Sequence, residues 1–313
     1  MLTFADDTKI VLPVSSSNDT LLLQHDLNSI IVWSKNNNMK LNQDKFEQIT
    51  HSSFNYNSNH KLLQELPFSS IYNEYSAGNN LICPSNCVRD LGVLVDGKLT
   101  WDNHIFKLCK IGKQLSWWIL SVFYTRDSSV MLTVFNSIVR SKLEYCSQIW
   151  DPFLIRHIDA LEQVQRSFTK RIKFLYNLNY WERIKKLKIM SLQRRREKLT
   201  IIFVWKIKHN MVPNDINLEF LNSDRKSGNR AVVKPMPKIT GKMLTMYENS
   251  FIIKAPKLWN NLPQKLTKID DLTKFKGELD RYLKLVPDQP PIRGYYHNNK
   301  NSLLDYRPYT VQF

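Results

Sequence analysis

Two adjacent aspartates, Asp6 and Asp7, sit in the run Leu2-Thr3-Phe4-Ala5-Asp6-Asp7-Thr8-Lys9-Ile10. Apolar residues flank them, and the pattern predicts a tight β-hairpin. Leu2–Ala5 goes up, Asp6-Asp7 turns, and Thr8–Leu12 comes down. Neighbouring carboxylates on a turn repel one another unless a cation lies between them. Mg²⁺ suits such hard oxygen ligands and is commonly held by one or two carboxylates plus substrate phosphates. Asp6 and Asp7 are therefore the candidate catalytic and metal-binding residues. The chemistry they suit is in-line displacement, in which metal ions align a 3′-hydroxyl and a triphosphate.

The second set of candidates is cationic. The 313 residues carry a net charge of +17, unevenly spread. Residues 1–100 hold seven Lys/Arg against ten Asp/Glu, whereas residues 166–209 hold fourteen against two, a net +12. A basic segment this concentrated is the electrostatic footprint of a polyanion. Within it Arg166, Lys170, Arg171 and Lys173 fall on the arc opposite Ile158, Leu161, Val164, Phe168 and Ile172. Arg194, Arg195 and Arg196, with Lys198 behind them, open a helix that starts near Ser191. Cations in a first turn oppose the helix dipole by roughly 0.3–1 kcal/mol each. A phosphate would turn that opposition into binding, and the alternative is a solvated charged face. Charged first-turn residues are not expected in a core. Trp117, Trp118, Trp181 and Trp205 intersperse the cations; Trp118 and Trp205 are expected in the core.

The elements that must position these groups follow from periodicity. Asp19 is placed to cap a helix reaching Asn36, with Leu23, Leu27, Ile30, Ile31 and Ser34 inward. Lys45 precedes an expected strand, Phe46–Thr50. Residues 51–82 show no period and read as a long hairpin or insertion. Val88–Val95 reads as a strand closed by the turn dipeptide Asp96-Gly97. Long helices follow at about residues 102–123, 128–145, 153–176, 180–189 and 191–210. Asp151 and Pro152 suit the start of the third, and His157 on its apolar side reads as a core histidine. Residues 222–242 read as a linker. A small module follows, with an expected strand Phe251–Ala255, a helix Leu272–Leu285 and a loose tail from Val286.

Several function classes are excluded. Only 8 glycines occur, and neither phosphate-loop nor dinucleotide fingerprint is present. Cys83, Cys87, Cys109 and Cys146 do not make a disulfide framework, and Cys83–Cys87 lacks a second ligand pair for zinc. No apolar run approaches membrane-spanning length and no signal-peptide pattern opens the chain. This predicts an intracellular, soluble protein without a membrane partner or small-molecule cofactor.

Phe4-Ala5-Asp6-Asp7 resembles the aromatic-Ala-Asp-Asp box of reverse transcriptases. The ordered landmarks behind it resemble the tail of non-LTR retrotransposon polymerases of the jockey/LINE-like kind. They are Trp33 with residues 39–45 (Met-Lys-Leu-Asn-Gln-Asp-Lys), Leu91-Gly92-Val93, Leu99-Thr100-Trp101 and His104. Then come Leu143-Glu144-Tyr145-Cys146-Ser147, Trp150-Asp151-Pro152, residues 161–166 (Leu-Glu-Gln-Val-Gln-Arg) and residues 258–263 (Leu-Trp-Asn-Asn-Leu-Pro).

The resemblance implies an α+β chain in three parts. A truncated polymerase palm remnant (1–100, hairpin plus helix and strands) precedes a basic, mostly helical thumb (101–221). The linker and C-terminal module (243–313) follow. It implies Mg²⁺ at Asp6 and Asp7, Lys45 near the phosphates of the incoming nucleotide, and an RNA template with a DNA primer or target DNA as partners. Without the resemblance, Lys45 reads as a solvated loop lysine. The fingers and the palm strand with a further metal-binding aspartate are absent from the chain. The expectation is therefore a C-terminal portion of an RNA-directed DNA polymerase, inactive alone. A catalytically dead nucleic-acid-binding module is the alternative, and a structural protein merely solvated by its charge the third reading.

Overall fold

A computed structural model of the chain describes residues 2–4, 7–39, 41–51, 75–214, 216–221, 230–233, 242–288 and 302–305. It divides into two compact units, Met1–Trp101 and Asp102–Phe313. Helices dominate, and the strands form four separate antiparallel pairs among the described residues. No helix among them is long and apolar enough to cross a membrane.

In the first unit β1 (Leu2–Phe4) pairs with β2 (Asp7–Lys9), matching Leu2 to Lys9 and Phe4 to Asp7. Helix α1 (Ser17–Asn36) is capped by Ser16 rather than Asp19. Asp19 stands three residues on, where its carboxylate accepts from the Ser15 and Ser16 amides at 2.8 Å, closing a capping box. Leu27, Ile31 and Ser34 face inward as the spacing predicts, and Thr20 joins them. Their core partners are Tyr75, Ala77 and Ile82 of β3 (Tyr75–Ala77) and β4 (Asn80–Ile82). The Gln24 amide exchanges two 2.9 Å hydrogen bonds with the Ser76 backbone and so satisfies an open strand edge.

Two expectations fail in this unit. Val88–Val95 is not one strand: β5 (Cys87–Asp90) and β6 (Val93–Asp96) form a hairpin around Leu91-Gly92. Both turn residues have positive φ, 44° and 90°, which a two-residue hairpin turn of this hand demands. Asp96 is instead a collector of amides, accepting from Lys98, Thr100 and Trp101. The strand expected at Phe46–Thr50 reduces to one bridge, Gln48 to Pro84. Of the insertion at 51–82, residues 52–74 lie outside the described residues.

The second unit is built from α2 (Asp102–Val122), α3 (Ser128–Val134), α4 (Ser141–Glu144), α5 (Ser147–Trp150), α6 (Ile155–Thr169), α7 (Tyr180–Leu187) and α8 (Leu192–Lys208). A π-type turn at Phe135–Arg140 joins α3 to α4. Gly112 lets α2 approach α6, because a Cβ there would stand 3.0 Å from Val164 Cγ1. Phe135 stacks on Phe168 at 4.5 Å. Helix α6 ends at Thr169, short of the expected 176, and Leu154 rather than Asp151 occupies its cap position. The apolar period nevertheless continues, since Ile172 and Leu175 are buried in the turn that follows.

The expected C-terminal module is not separate. Residues 251–260 form helix α10 (Phe251–Asn260), not a strand, because Ala255, Leu258 and Trp259 bury at helical spacing. Between α8 and α10 come β7 (Leu218–Leu221), β8 (Arg230–Val233) and α9 (Lys242–Glu248), and α11 (Gln264–Thr267) and α12 (Leu272–Leu285) follow. Strand β8 occupies part of the expected linker, held by Asn260, whose amide bonds both the Ala231 N–H and C=O. Val204 and Trp205 of α8 share one core with Leu218, Ala231, Trp259, Leu266, Phe275 and Leu279. The expected loose tail also contributes where described: Val286 and Leu303 are buried in that core.

Candidate nucleic-acid interface

Asp7 opens β2 opposite Phe4 and is exposed. Asp6 lies outside the described residues, so Asp7 is the described half of the expected Mg²⁺ pair. Lys9, two residues on, makes an ion pair with Asp90 of β5. Lys45 ends a 3₁₀ turn, Gln43–Lys45, and is exposed. Among the described residues no group of three or more His, Cys, Asp or Glu side chains could hold a metal ion.

The arginine run behaves differently from its expected role. Arg194 and Arg196 are 0% and 1% exposed, among the largest fully buried side chains among the described residues. Arg196 Nε donates to Asp151 Oδ1 at 2.7 Å, and Lys254 of α10 meets the other Asp151 oxygen. Arg195 pairs through two nitrogens with Glu144 of α4. Arg194 donates to the Pro287 carbonyl at 3.0 Å, and Lys198 pairs with Asp280 of α12. The expectation that these cations face solvent or phosphate is corrected: they join α8 to its neighbours.

The dipole problem at the head of α8 is solved by carboxylates. Ser191 caps the helix, its oxygen accepting from Arg194 N–H at 3.1 Å. Asp288 accepts from the Ser191 amide and hydroxyl, both at 2.7 Å. Glu162 of α6 accepts from the Leu192 amide and from the Tyr180 hydroxyl. Negative charge at a helix N-terminus offsets the arginines' unfavourable position. Burial pushes the Glu162 carboxyl up. Burial would also raise Asp151, but the Lys254 and Arg196 cations overcome it and hold that carboxyl below its ordinary value.

The exposed cations lie elsewhere. The turn after α6 carries Lys170, Arg171 and Lys173 outward, with Phe174 and Tyr176 exposed among them. Two clefts meet at Lys170 and Tyr176. The smaller, about 380 Å³, also includes Arg166, Tyr180 and Arg183. There the Arg166 and Arg183 guanidinium carbons lie 5.1 and 5.7 Å from the Tyr180 ring centre. Arg183 also donates to the Leu178 and Arg166 carbonyls, closing the end of α6. The larger cleft, about 1060 Å³, adds Tyr124, Arg126 and Phe174.

Arg166, Lys170, Arg171 and Lys173, singled out in the sequence, line these clefts, and so do Tyr124, Phe174 and Tyr176, which were not singled out. The helix expected to run to 176 hid the turn that exposes the last two. The signal available was Lys173-Phe174 beside Tyr176, an aromatic–cation alternation at an expected helix end. Of the tryptophans, Trp205 is buried as expected, whereas Trp118 is 47% exposed. His157 is buried, next to Asp102 at 2.5 Å. No protein-family model, curated protein or solved structure matches the chain.

Proposed function

We propose that the chain is part of an RNA-directed DNA polymerase of a mobile element and that its second unit holds nucleic acid. In this reading residues 1–100 are a palm remnant and α2–α8 a thumb. Lys45 lies near the incoming phosphates. Asp6 and Asp7 would hold the Mg²⁺ that supplies nucleotidyl-transfer chemistry in the complete enzyme. The ordered landmarks of the sequence support the family. The observation that carries the binding role is the surface after α6. There cations and aromatic rings stand exposed together, while the neighbouring arginine run is paired internally. Backbone neutralisation by Lys and Arg supplies sequence-independent affinity.

A salt titration of binding to one RNA and one DNA strand tests the role. Arg166, Lys170, Arg171 and Lys173 can meet about four phosphates, so the log–log slope should be about −3 to −4. Replacing Lys170, Arg171 and Lys173 by Gln should leave a slope of about −1. Equal slopes for wild type and variant would remove this surface from the interface. No binding at low salt would remove the nucleic-acid reading itself.

A further inference from the structure

We propose that Phe174 is a stacking platform for an unpaired base, so that the ligand of this surface is single-stranded RNA or DNA. The inference rests on the nucleic-acid reading above and adds to it the form of the nucleic acid.

Phe174 has φ 64°, in the left-handed region that bulky side chains rarely adopt. The cause is local. Ile172 and Leu175 on either side are buried, and the Leu175 amide bonds the Ile172 carbonyl at 3.2 Å. A tight turn between two inward anchors puts both intervening residues, Lys173 and Phe174, outward, and the second takes the positive φ. Glycine or asparagine would satisfy that backbone without strain. Instead the position carries an aromatic residue that is 72% exposed. Strained residues of this kind cluster at ligand-holding sites.

The surroundings specify the ligand's chemistry. Lys173 Nζ stands 4.8 Å from the Phe174 ring centre, putting a phosphate-binding charge beside an aromatic face. Tyr124, fully exposed, and Tyr176 line the same cleft, and Lys170 and Arg171 line it with them. Single exposed rings are ordinary on protein surfaces; three in one basic cleft are not. Bases stacked on such rings with the backbone on nearby cations is how unpaired strands are held without sequence preference. A duplex keeps its bases stacked internally and offers these rings no face.

The test compares a short oligothymidylate, an abasic strand of equal length and a duplex against the full chain. Phe174→Ala should weaken oligothymidylate binding about tenfold and leave the abasic strand unchanged. Phe174→Trp should restore it. Phe174→Gly should unfold no earlier than wild type, which separates lost stacking from a damaged fold. An Ala variant that binds oligothymidylate like wild type, or loses the abasic strand equally, overturns the stacking role. If the Lys170, Arg171 and Lys173 variant still loses binding in that case, the nucleic-acid reading stands without it. Duplex binding as tight as single strand, or a polyglutamate peptide competing equally, also overturns the proposal.

Discussion

Arg196→Ala tests whether the arginine run holds the fold. Arg196 and Asp151 side chains are 2% and 10% exposed, and their contact is 2.7 Å. Truncation leaves a buried carboxylate with Lys254 as its remaining cation. Removing one partner of a buried pair costs about 3–5 kcal/mol. Because Lys254 stays, the lower end applies, about 3 kcal/mol. Against a total of roughly 5–15 kcal/mol, that is a large share. Urea unfolding followed by fluorescence of the buried Trp150 and Trp205 reads it directly. With a slope of about 2 kcal/mol per M, the midpoint should fall by about 1.5 M. Lys170→Gln, Arg171→Gln and Lys173→Gln, all exposed, should each stay within about 0.5 kcal/mol of wild type. A double-mutant cycle with Asp151→Ala should show about 0.5–3 kcal/mol of coupling. If Arg196→Ala unfolds where the surface variants do, and the cycle is additive, the internal role is refuted.

The chain by itself should not extend a primer on an RNA template with Mg²⁺, because two-metal transfer needs further acidic ligands and none gather among the described residues. Template-dependent synthesis abolished by Asp7→Ala would show that expectation wrong. Stability should also fall between about pH 6.5 and 4. Burial beside the Trp150 ring, with the Lys107 charge nearby, depresses His104 from 6.5 to about 4. The unfolded chain therefore takes the proton first, so the contribution is complete above 6.5 and lost as pH drops to about 4. At about 1.4 kcal/mol per pH unit the loss is about 3 kcal/mol, and His104→Gln should flatten it in urea titrations across that range; an unchanged pH slope counts against it. Gly112→Ala gains about 1 kcal/mol of helix propensity but crowds Val164 and Leu143, at 3.0 and 3.2 Å from the added carbon. Overpacking costs about 1–3 kcal/mol, so thermal melts should show no gain and a loss of up to about 2 kcal/mol.

What the sequence made legible was mostly periodic. Helices α1, α2, α7, α8 and α12 stand close to their expected bounds, because amphipathic spacing is read over many residues at once. The hairpin β1–β2 was legible from apolar flanks around a polar turn, although Asp7 opens β2 instead of sitting in the loop. Failures share a cause: local signals overruled by distant partners. Ile252-Ile253 reads as β-branched strand, but Leu258 and Trp259 pull the segment into a helix against α8. Asp151 reads as a helix cap, but Arg196 and Lys254 claim its oxygens from 45 and 103 residues away. Asp96-Gly97 reads as a hairpin turn, yet Leu91-Gly92 takes that place.

The arginine run shows why charge density alone locates a surface poorly. The sequence of α8 held the contrary sign: Ile201, Ile202, Val204, Trp205 and Ile207 are apolar around the whole helix, the mark of a central one. A helix enclosed on all sides cannot present its first turns to solvent either, so its cations need carboxylates. Glu144 of α4, Asp151 after α5 and Asp280 of α12 meet that need for Arg195, Arg196 and Lys198, while Glu162 of α6 and Asp288 after α12 accept from the Leu192 and Ser191 amides at the helix head. Glu197, buried three residues on from Arg194 at 3.9 Å, is the near carboxylate, and the others lie far from the run in sequence, where no local window reaches them. The net +12 of residues 166–209 therefore overstates what a polyanion meets. Once the charges on α8 and the inward Arg183 are set aside, the outward cations are those around the turn after α6, with Lys185, Lys186 and Lys188 on and just after α7. That moves the electrostatic footprint upstream, from the helix with the densest charge to the turn with the exposed rings.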